Sequence, residues 1–414
     1  MTIQASNFEI RTDVVGLATR IASDEPLVTP KILPQLEAVL RKLKDKSSDN
    51  WDSVRGQFSV DKSLSGGHLL PITNVSIDKH GDICATGSYD RTCKIWNTRT
   101  GTMNVTLAGH EDAVYTMSLA IPERLVPFAH IRLNEVGVLT GSFDKTARWW
   151  SLREDDGGEC LCVMRGHTAQ IVAVDVTRPG QMVATSSIDR TTRLFSAATG
   201  QNLATLSEHT GEVVANQFDN SGSTVITGSF DSTVKIWDTR TARCIATLFG
   251  HTAELSVCCY DFGCHMIASG SLDCTAKLWD VRRTDCCRDT IGGHTDEVLD
   301  VSFDSVGRRL ATASSDNSAC IWDVNSGDLI TAMIGHTDEV SKVVWEPAGH
   351  HLLTTSQDHI SMFWNTETGE CLQELKGHKD HVFSAEISYL GDTILTASKD
   401  NTCVIWRQSN SKIN

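Results

Sequence analysis

The chain has 414 residues, of which 40% are hydrophobic and 21% are charged, and its formal net charge is −15. This composition is ordinary for a folded globular protein, and the acidic balance disfavours binding to the phosphate backbone of nucleic acids. The N-terminus lacks a basic region followed by an apolar run, and no apolar stretch reaches about 18 residues, so neither a signal peptide nor membrane insertion is predicted. The 14 cysteines form no CxxC pair, which favours reduced thiols in the cytoplasm over a zinc ribbon.

The first 50 residues differ from the rest of the chain and are predicted to be helical. Apolar residues recur at helical spacing from Ile32 to Leu43, and a shorter helix is predicted to begin near Thr12 or Asp13, either of which can cap it. An amphipathic helix must bury its apolar stripe. The segment is therefore expected either to pack against the domain that follows or to form a partner-binding arm.

From His68 onwards the sequence repeats with a period near 42 residues, the spacing from His68 to His110. Each of eight repeats contains a histidine, then Ser-x-Asp, then an aromatic residue six positions after the aspartate. The first and fifth sets are His68, Ser88, Asp90 and Trp96, and His251, Ser271, Asp273 and Trp279. A hydrolase needs one Ser–His–Asp set, whereas eight equivalent sets indicate a copied structural unit. No catalytic, cofactor-binding or metal-binding residue is therefore predicted.

A period near 42 residues with Gly-His and Trp-Asp signatures is typical of a β-propeller in which each repeat forms one four-stranded blade. On these motifs the chain is identified as a member of the WD-repeat family. The resemblance implies an all-β, eight-bladed propeller over about residues 51–409, with a helical segment at 1–50 and a tail at 410–414. It also implies a hydrogen-bonded network in each blade, joining the aromatic residue, the serine, the turn aspartate and the histidine. Phe195 replaces the tryptophan in the third repeat, so Ser187 is expected to lose a donor.

The last repeat ends too close to the C-terminus to supply an outer strand of its own. Only RQSNSKIN follows Trp406, whereas Phe58, Val60 and Leu64 alternate ahead of the first repeat. Propellers of this family lend an N-terminal strand to the last blade. Residues near 57–64 are therefore expected to close the ring, which removes free sheet edges.

The second repeat carries an insertion, because 40 residues separate His110 from Trp150 and 28 separate the corresponding residues of the other repeats. The inserted stretch, Ala120 to Gly137, is predicted to join the first and second strands on the face opposite the Gly-His loops. Its apolar residues would be costly to leave exposed. A secondary contact site is therefore expected there.

The face that carries the Gly-His loops is predicted to bind a partner. In WD-repeat proteins, contacts are often made by the residues three and five positions after the histidine and by the residue before the turn aspartate. Here these positions hold an acidic arc, Glu212, Glu254, Glu297 and Glu339, and an aromatic arc, Tyr89, Tyr115, Phe143, Phe230 and Phe383. The combination predicts a site for a basic, partly apolar segment, with Glu254 and Glu297 exposed. The alternative is that the glutamates are merely solvated loop residues.

Three segments, HLLPITNVSID, TGSYDRTCKIW and TDVVGLATRIASDEPLVT, resemble the family of dynein assembly factors with WD repeats. The resemblance implies a non-enzymatic adaptor that links outer-arm dynein to intraflagellar transport. The implied partners are outer-arm dynein subunits and an intraflagellar transport B subunit, in the cytoplasm and in the cilium or flagellum, including the basal body region. The alternatives are a general scaffold and a substrate receptor of a cullin-type ubiquitin ligase. The ligase alternative rests on the Trp-Asp-x-Arg tetrapeptides Trp237–Arg240 and Trp279–Arg282.

Overall fold

The computed structural model describes residues 57–78, 81–120, 137–153, 157–178, 180–283 and 287–408. The predicted helical segment at 1–50, the tail at 410–414 and residues 121–136 of the insertion lie outside the described residues. The described part is built of strands. None of its residues belongs to a helix long and apolar enough to cross a membrane.

Strands form where the sequence runs or alternates apolar for about six residues between turn residues. The strands of blades 1 to 4 are, in blade 1, β2 (Ile72–Ile77), β3 (Ile83–Ser88), β4 (Thr92–Asn97) and β5 (Met103–Ala108); in blade 2, β6 (Val114–Ala120), β7 (Gly137–Ser142), β8 (Ala147–Arg153) and β9 (Gly157–Met164); in blade 3, β10 (Ile171–Val176), β11 (Met182–Ser187), β12 (Thr192–Ser196) and β13 (Asn202–Leu206); and in blade 4, β14 (Val213–Phe218), β15 (Thr224–Ser229), β16 (Thr233–Asp238) and β17 (Arg243–Phe249).

The remaining strands are, in blade 5, β18 (Leu255–Tyr260), β19 (Met266–Ser271), β20 (Thr275–Asp280) and β21 (Asp289–Gly292); in blade 6, β22 (Val298–Phe303), β23 (Arg309–Ser314), β24 (Ser318–Asp323) and β25 (Leu329–Ile334); in blade 7, β26 (Val340–Trp345), β27 (His351–Ser356), β28 (Ile360–Asn365) and β29 (Cys371–Lys376); and in blade 8, β30 (Val382–Ile387), β31 (Thr393–Ser398), β32 (Cys403–Gln408) and β1 (Phe58–Leu64). The eight-bladed, all-β prediction is confirmed.

The blades stand around a central channel. Each is an antiparallel meander, and the first strands of neighbouring blades contact one another all the way round, including β30 against β2. The second strands are the most deeply buried, and every residue of β3 is buried. The apolar core lies between neighbouring blades, so that Leu395 of blade 8 packs in one cluster with Ile72 of blade 1. Each blade therefore depends on its neighbours for its core.

β1 is the outer strand of blade 8 and lies beside β32. It also contacts blade 7, because the backbone N–H of Phe58 donates to Oε1 of Gln373 at 2.8 Å. The Phe58 ring meets the Phe363 ring edge-on, with centroids 5.2 Å apart. The strand thus covers the edge that β32 would otherwise leave open.

Candidate functional site

In each blade a histidine, an aspartate, a hydroxyl and, in seven blades, a tryptophan form a chain of hydrogen bonds. In blade 1, Nδ1 of His68 lies 2.7 Å from Oδ2 of Asp90, and Nε2 lies 2.8 Å from Oγ1 of Thr86. The indole N–H of Trp96 donates to the same Oγ1 at 2.9 Å. The bridging hydroxyls of the eight blades are Thr86, Thr140, Thr185, Thr227, Ser269, Thr312, Thr354 and Thr396.

The bridging hydroxyl is not the predicted serine. The register pairs Trp96 with Cys84, which places the indole N–H within reach of Thr86, whereas Ser88 lies further along at the turn. Ser88 instead donates to the Leu70 carbonyl at 3.0 Å and accepts the Asp90 N–H at 3.1 Å. In blade 5, Ser271 has the same turn role and Ser269 bridges. The serines therefore fix the turn, and the residue two positions earlier completes the chain.

The turn aspartates are held in the ionised state. For Asp273, burial opposes ionisation, but hydrogen bonds from Thr275, the Thr252 N–H and His251 outweigh it and lower the pKa to about 2. Burial is also the main cause of the lowered pKa of His251, which keeps that imidazole neutral at pH 7. An ionised carboxylate can only accept, so Nδ1 donates to it and Nε2 accepts from the hydroxyl.

This order of groups is that of a hydrolytic triad, yet the geometry leaves no nucleophile available. The hydroxyl of Thr86 is completely buried, as are its counterparts in the other seven blades. Its oxygen already accepts the Trp96 indole N–H. A nucleophile must be open to substrate and near an oxyanion site. The eight sets therefore act as structural networks.

Blade 3 carries the one break in this chain. Phe195 has no N–H, so Oγ1 of Thr185 keeps only Nε2 of His167, at 2.8 Å. The prediction that Ser187 loses a donor was wrong, because Ser187 keeps its bonds to the Ala169 carbonyl and the Asp189 N–H, both at 3.1 Å. Phe195 itself is buried. The hydroxyl that lacks a donor in blade 3 is therefore that of Thr185.

The aromatic arc gathers mainly around one mouth of the channel. The rings of Tyr115 and Phe143 stack with centroids 5.0 Å apart, and Tyr89 meets Phe143 edge-on at 6.4 Å. Tyr89, Tyr115 and Phe383 line a cavity of about 370 Å³ that also contains Lys342. Phe230, in blade 4, is 42% exposed and does not line this cavity.

The acidic arc occupies one backbone position in blades 4 to 7. Each glutamate carbonyl accepts the N–H of the residue before the turn aspartate, as Glu254 does from Leu272 at 2.9 Å. Glu254 is exposed, whereas Glu297 is half-buried, contrary to the expectation of two exposed side chains. Glu212 and Glu339 are also half-buried, and Nε2 of Gln357 donates to Glu339 at 2.5 Å. The carboxylates of Glu212, Glu254 and Glu297 form no salt bridge to a described residue.

A set of channel carboxylates was missed in the sequence. Asp175 on β10 accepts the backbone N–H of Phe218 in the next blade at 2.7 Å. Asp300 and Glu386 accept N–H groups of the following blades in the same way, from Val343 and Ile77. Burial raises the pKa of Asp175 and of Asp300 to about 6. Acidic residues within otherwise apolar first strands, as in AVDV, were the signal that could have found them.

Among the described residues, one cluster of metal-ligating side chains stands out: His359, Asp380 and His381, at the edge between blades 7 and 8. The sequence predicted no metal-binding role for any of the three residues.

Comparison with known proteins supports the fold and a family of relatives. The family description "WD domain, G-beta repeat" matches residues 60–97, 101–151, 158–196, 200–238, 242–280, 285–323, 327–365 and 369–407. The crystal structure of the computationally designed Ika8 protein matches with a TM-score of 0.70 and 24% identity, over 83% of this chain and 98% of that chain, and supports the fold alone.

Two similar curated proteins carry the name "Dynein assembly factor with WD repeat domains 1". The one from Homo sapiens is 40% identical over 111 residues, which are 27% of this chain and 26% of that protein. The one from Danio rerio is 39% identical over 120 residues, which are 29% of this chain and 28% of that protein. The chain thus aligns with about a quarter of the length of these relatives.

Proposed function

This chain belongs to the WD-repeat family, and from that premise we propose that it is a non-enzymatic adaptor in dynein assembly. More specifically, we propose that it links outer-arm dynein subunits to an intraflagellar transport B subunit. It would do so in the cytoplasm and in the cilium or flagellum, including the basal body region. The similarity to the two dynein assembly factors supports the dynein partner. The transport partner rests on the family resemblance of the sequence.

The adaptor role rests on one observation: the Gly-His face carries an exposed aromatic cluster on some blades and an acidic arc on others. An aromatic cluster is exposed on one side of this face, with Tyr89 at 40% and Tyr115 at 39%, although exposed aromatic rings cost free energy in water. The acidic arc lies on other blades of the same face, and three of its carboxylates lack a described salt-bridge partner. Aromatic anchors and unpaired charge together suit a basic, partly apolar segment of a partner.

The test compares binding of purified outer-arm dynein subunits and transport B subunits to wild type and to two rim variants. The Glu254→Lys/Glu297→Lys variant should slow association and reverse its dependence on salt, because it inverts the local charge. The Tyr115→Ala/Phe383→Ala variant should instead speed dissociation, because it removes apolar contacts.

The matched control is Glu367→Lys/Glu370→Lys, which makes the same charge change in the exposed turn between β28 and β29. It should bind as wild type does. Wild-type association rates for the Glu254→Lys/Glu297→Lys variant at low salt would exclude the acidic arc as the docking site.

In the tetrapeptides behind the ligase alternative, the aspartate takes part in a turn. Asp238 of the first Trp-Asp-x-Arg tetrapeptide accepts the backbone N–H of Arg240 at 2.8 Å, which is turn geometry. Asn97 accepts the N–H of Arg99 at 2.9 Å in a blade without the tetrapeptide. The turn therefore accounts for the aspartate of the motif, and blade 1 makes the same turn without the tetrapeptide. Affinity purification from ciliated cells separates the two functions: dynein and transport subunits support the adaptor, and a ligase adaptor subunit contradicts it.

A further inference from the structure

Three side chains with metal-ligating atoms converge between blades 7 and 8. His359 lies in the turn between β27 and β28, and Asp380 and His381 lie in the loop that enters β30. One ligand atom from each lies within 4.8 Å of those of the other two. Nε2 of His381 is 3.5 Å from Oδ1 of Asp380, and the two imidazole centroids are 5.6 Å apart.

The backbone around the cluster is already fixed by the fold. His359 has φ 72°, the left-handed conformation shared by the residue after the turn aspartate in every blade, so its position follows from the turn. The Asp380 carbonyl accepts the Ser398 hydroxyl at 3.0 Å, and the His381 carbonyl accepts the Lys399 N–H at 2.9 Å. Ligands held by such contacts lose little freedom when they bind a metal.

The side chain of His381 has unused capacity for a ligand. Its Nδ1 atom is buried and has no hydrogen-bond partner among the described residues. Buried polar atoms are usually paired, so this ring has an unmet hydrogen-bonding position, while its other nitrogen, Nε2, faces Oδ1 of Asp380 at 3.5 Å. The ring also stacks on Phe383, with centroids 6.4 Å apart, which limits its rotation.

We propose that His359, Asp380 and His381 form a binding site for Zn²⁺ or a similar divalent transition metal that joins blades 7 and 8 on the Gly-His face. Two imidazoles and one carboxylate are a common ligand set for zinc, and three protein ligands leave a coordination position for water or for a side chain of a partner. The site does not depend on the dynein assignment, because it uses only this chain's own residues.

One nearby group opposes the metal. Nζ of Lys399 lies 4.0 Å from Oδ1 of Asp380, and its charge would repel a cation bound there. The Lys399 side chain is 46% exposed, and an exposed ion pair contributes little to stability, so the amine can move into solvent. Removal of this charge should therefore tighten metal binding.

The experiment is isothermal titration calorimetry of the full chain with ZnCl₂ under thiol-reducing conditions. The key variant is His359→Asn, because Asn317 and Asn401 hold the same left-handed turn position in blades 6 and 8. It should fold as wild type does and bind Zn²⁺ about tenfold or more weakly. Lys399→Ala should bind more tightly than wild type, and His265→Ala, which alters an exposed histidine in another turn, should bind as wild type does.

Cobalt separates this site from the cysteines, of which Cys371 is exposed. Co²⁺ bound by imidazole and carboxylate gives visible bands without the intense thiolate-to-metal charge-transfer absorption. These bands should appear in wild type and disappear in His359→Asn. Equal zinc affinity in wild type and His359→Asn, or a cobalt spectrum with only thiolate charge transfer, would overturn the proposal.

Discussion

The hydrogen-bonded networks inside the blades and the Gly-His face above them lie a few residues apart, yet they follow opposite rules. Inside, the histidine–aspartate contact recurs in all eight blades at 2.7 to 3.2 Å. Outside, the residue before the turn aspartate changes from Tyr89 and Phe143 in blades 1 and 2 to Gln357 and Lys399 in blades 7 and 8. A buried polar atom must find a partner within the protein, whereas an exposed one can use water. Sequence repeats are therefore preserved in the interior, and the surface is free to specialise.

The largest effect is expected from removal of an interior aspartate. Oδ2 and Oδ1 of Asp273 accept from the Thr252 N–H at 2.9 Å and the Thr275 N–H at 3.0 Å, besides contacting His251. Asp273→Ala leaves the buried His251 and the partly buried Thr275 N–H without their acceptor, so the free energy of unfolding should fall by about 3 kcal/mol or more. Urea denaturation measures this loss. The control is Asp328→Ala at an exposed turn, which should change stability by less than about 0.5 kcal/mol. Equal losses of stability in Asp273→Ala and Asp328→Ala would mean that the interior aspartate matters no more than a surface one.

Acid should act on the interior through the same carboxylates. The folded-state pKa of Asp273 is lowered to about 2. A lowered pKa contributes stability that is complete above the unfolded value near pH 4 and is lost as the pH falls through about 2. Wild type should therefore lose stability steeply over this range, and Asp273→Asn should lose less. A pH-dependence unchanged by Asp273→Asn would show that this aspartate is not among the groups responsible.

The channel carboxylates should respond in the opposite direction. Burial raises the folded-state pKa of Asp175 to about 6. The contribution of Asp175 to the free energy of unfolding is therefore complete below the unfolded pKa near 4 and is lost as the pH rises through about 6. Asp175→Asn keeps an oxygen acceptor for the Phe218 N–H and carries no charge. The variant should be more stable than wild type at pH 7 and indistinguishable from it near pH 4, as measured by thermal unfolding at both values.

The sequence predicted the repeated part of the molecule better than the contacts between repeats. The eight-bladed class followed from spacing that each repeat carries by itself. The sequence did not show that Thr86, and not Ser88, accepts the indole hydrogen bond. The two hydroxyls lie two positions apart on one strand, and only the pairing of Trp96 with Cys84 decides between them. The bond of Asp175 to Phe218 and the approach of His359 to His381 join different repeats. Such contacts depend on how blades pack, which local periodicity does not specify.

A smaller effect is expected from removal of one indole donor. The Trp237 N–H donates to Oγ1 of Thr227 at 2.8 Å, and the residue is buried. Trp237→Phe should lower the free energy of unfolding by about 1 to 3 kcal/mol, through the lost hydrogen bond and the smaller ring. Thermal unfolding of the variant beside wild type measures the change. A variant as stable as wild type would mean that the indole bond contributes nothing to the network.

The converse substitution, Phe195→Trp, should produce the smallest change and should be stabilising. Its new N–H would reach Oγ1 of Thr185, which now has only His167. Space is the main objection, because Arg193 lies close to Gly166 beside this position. Blade 2 shows that the two side chains fit together: Arg148 there approaches Gly109 in the same way, and its guanidinium lies 5.9 Å from the centroid of Trp150. The gain should be about 0.5 to 1 kcal/mol, the usual net contribution of a hydrogen bond. A loss of stability on thermal unfolding would show that blade 3 has repacked around phenylalanine and no longer has room for the shared network.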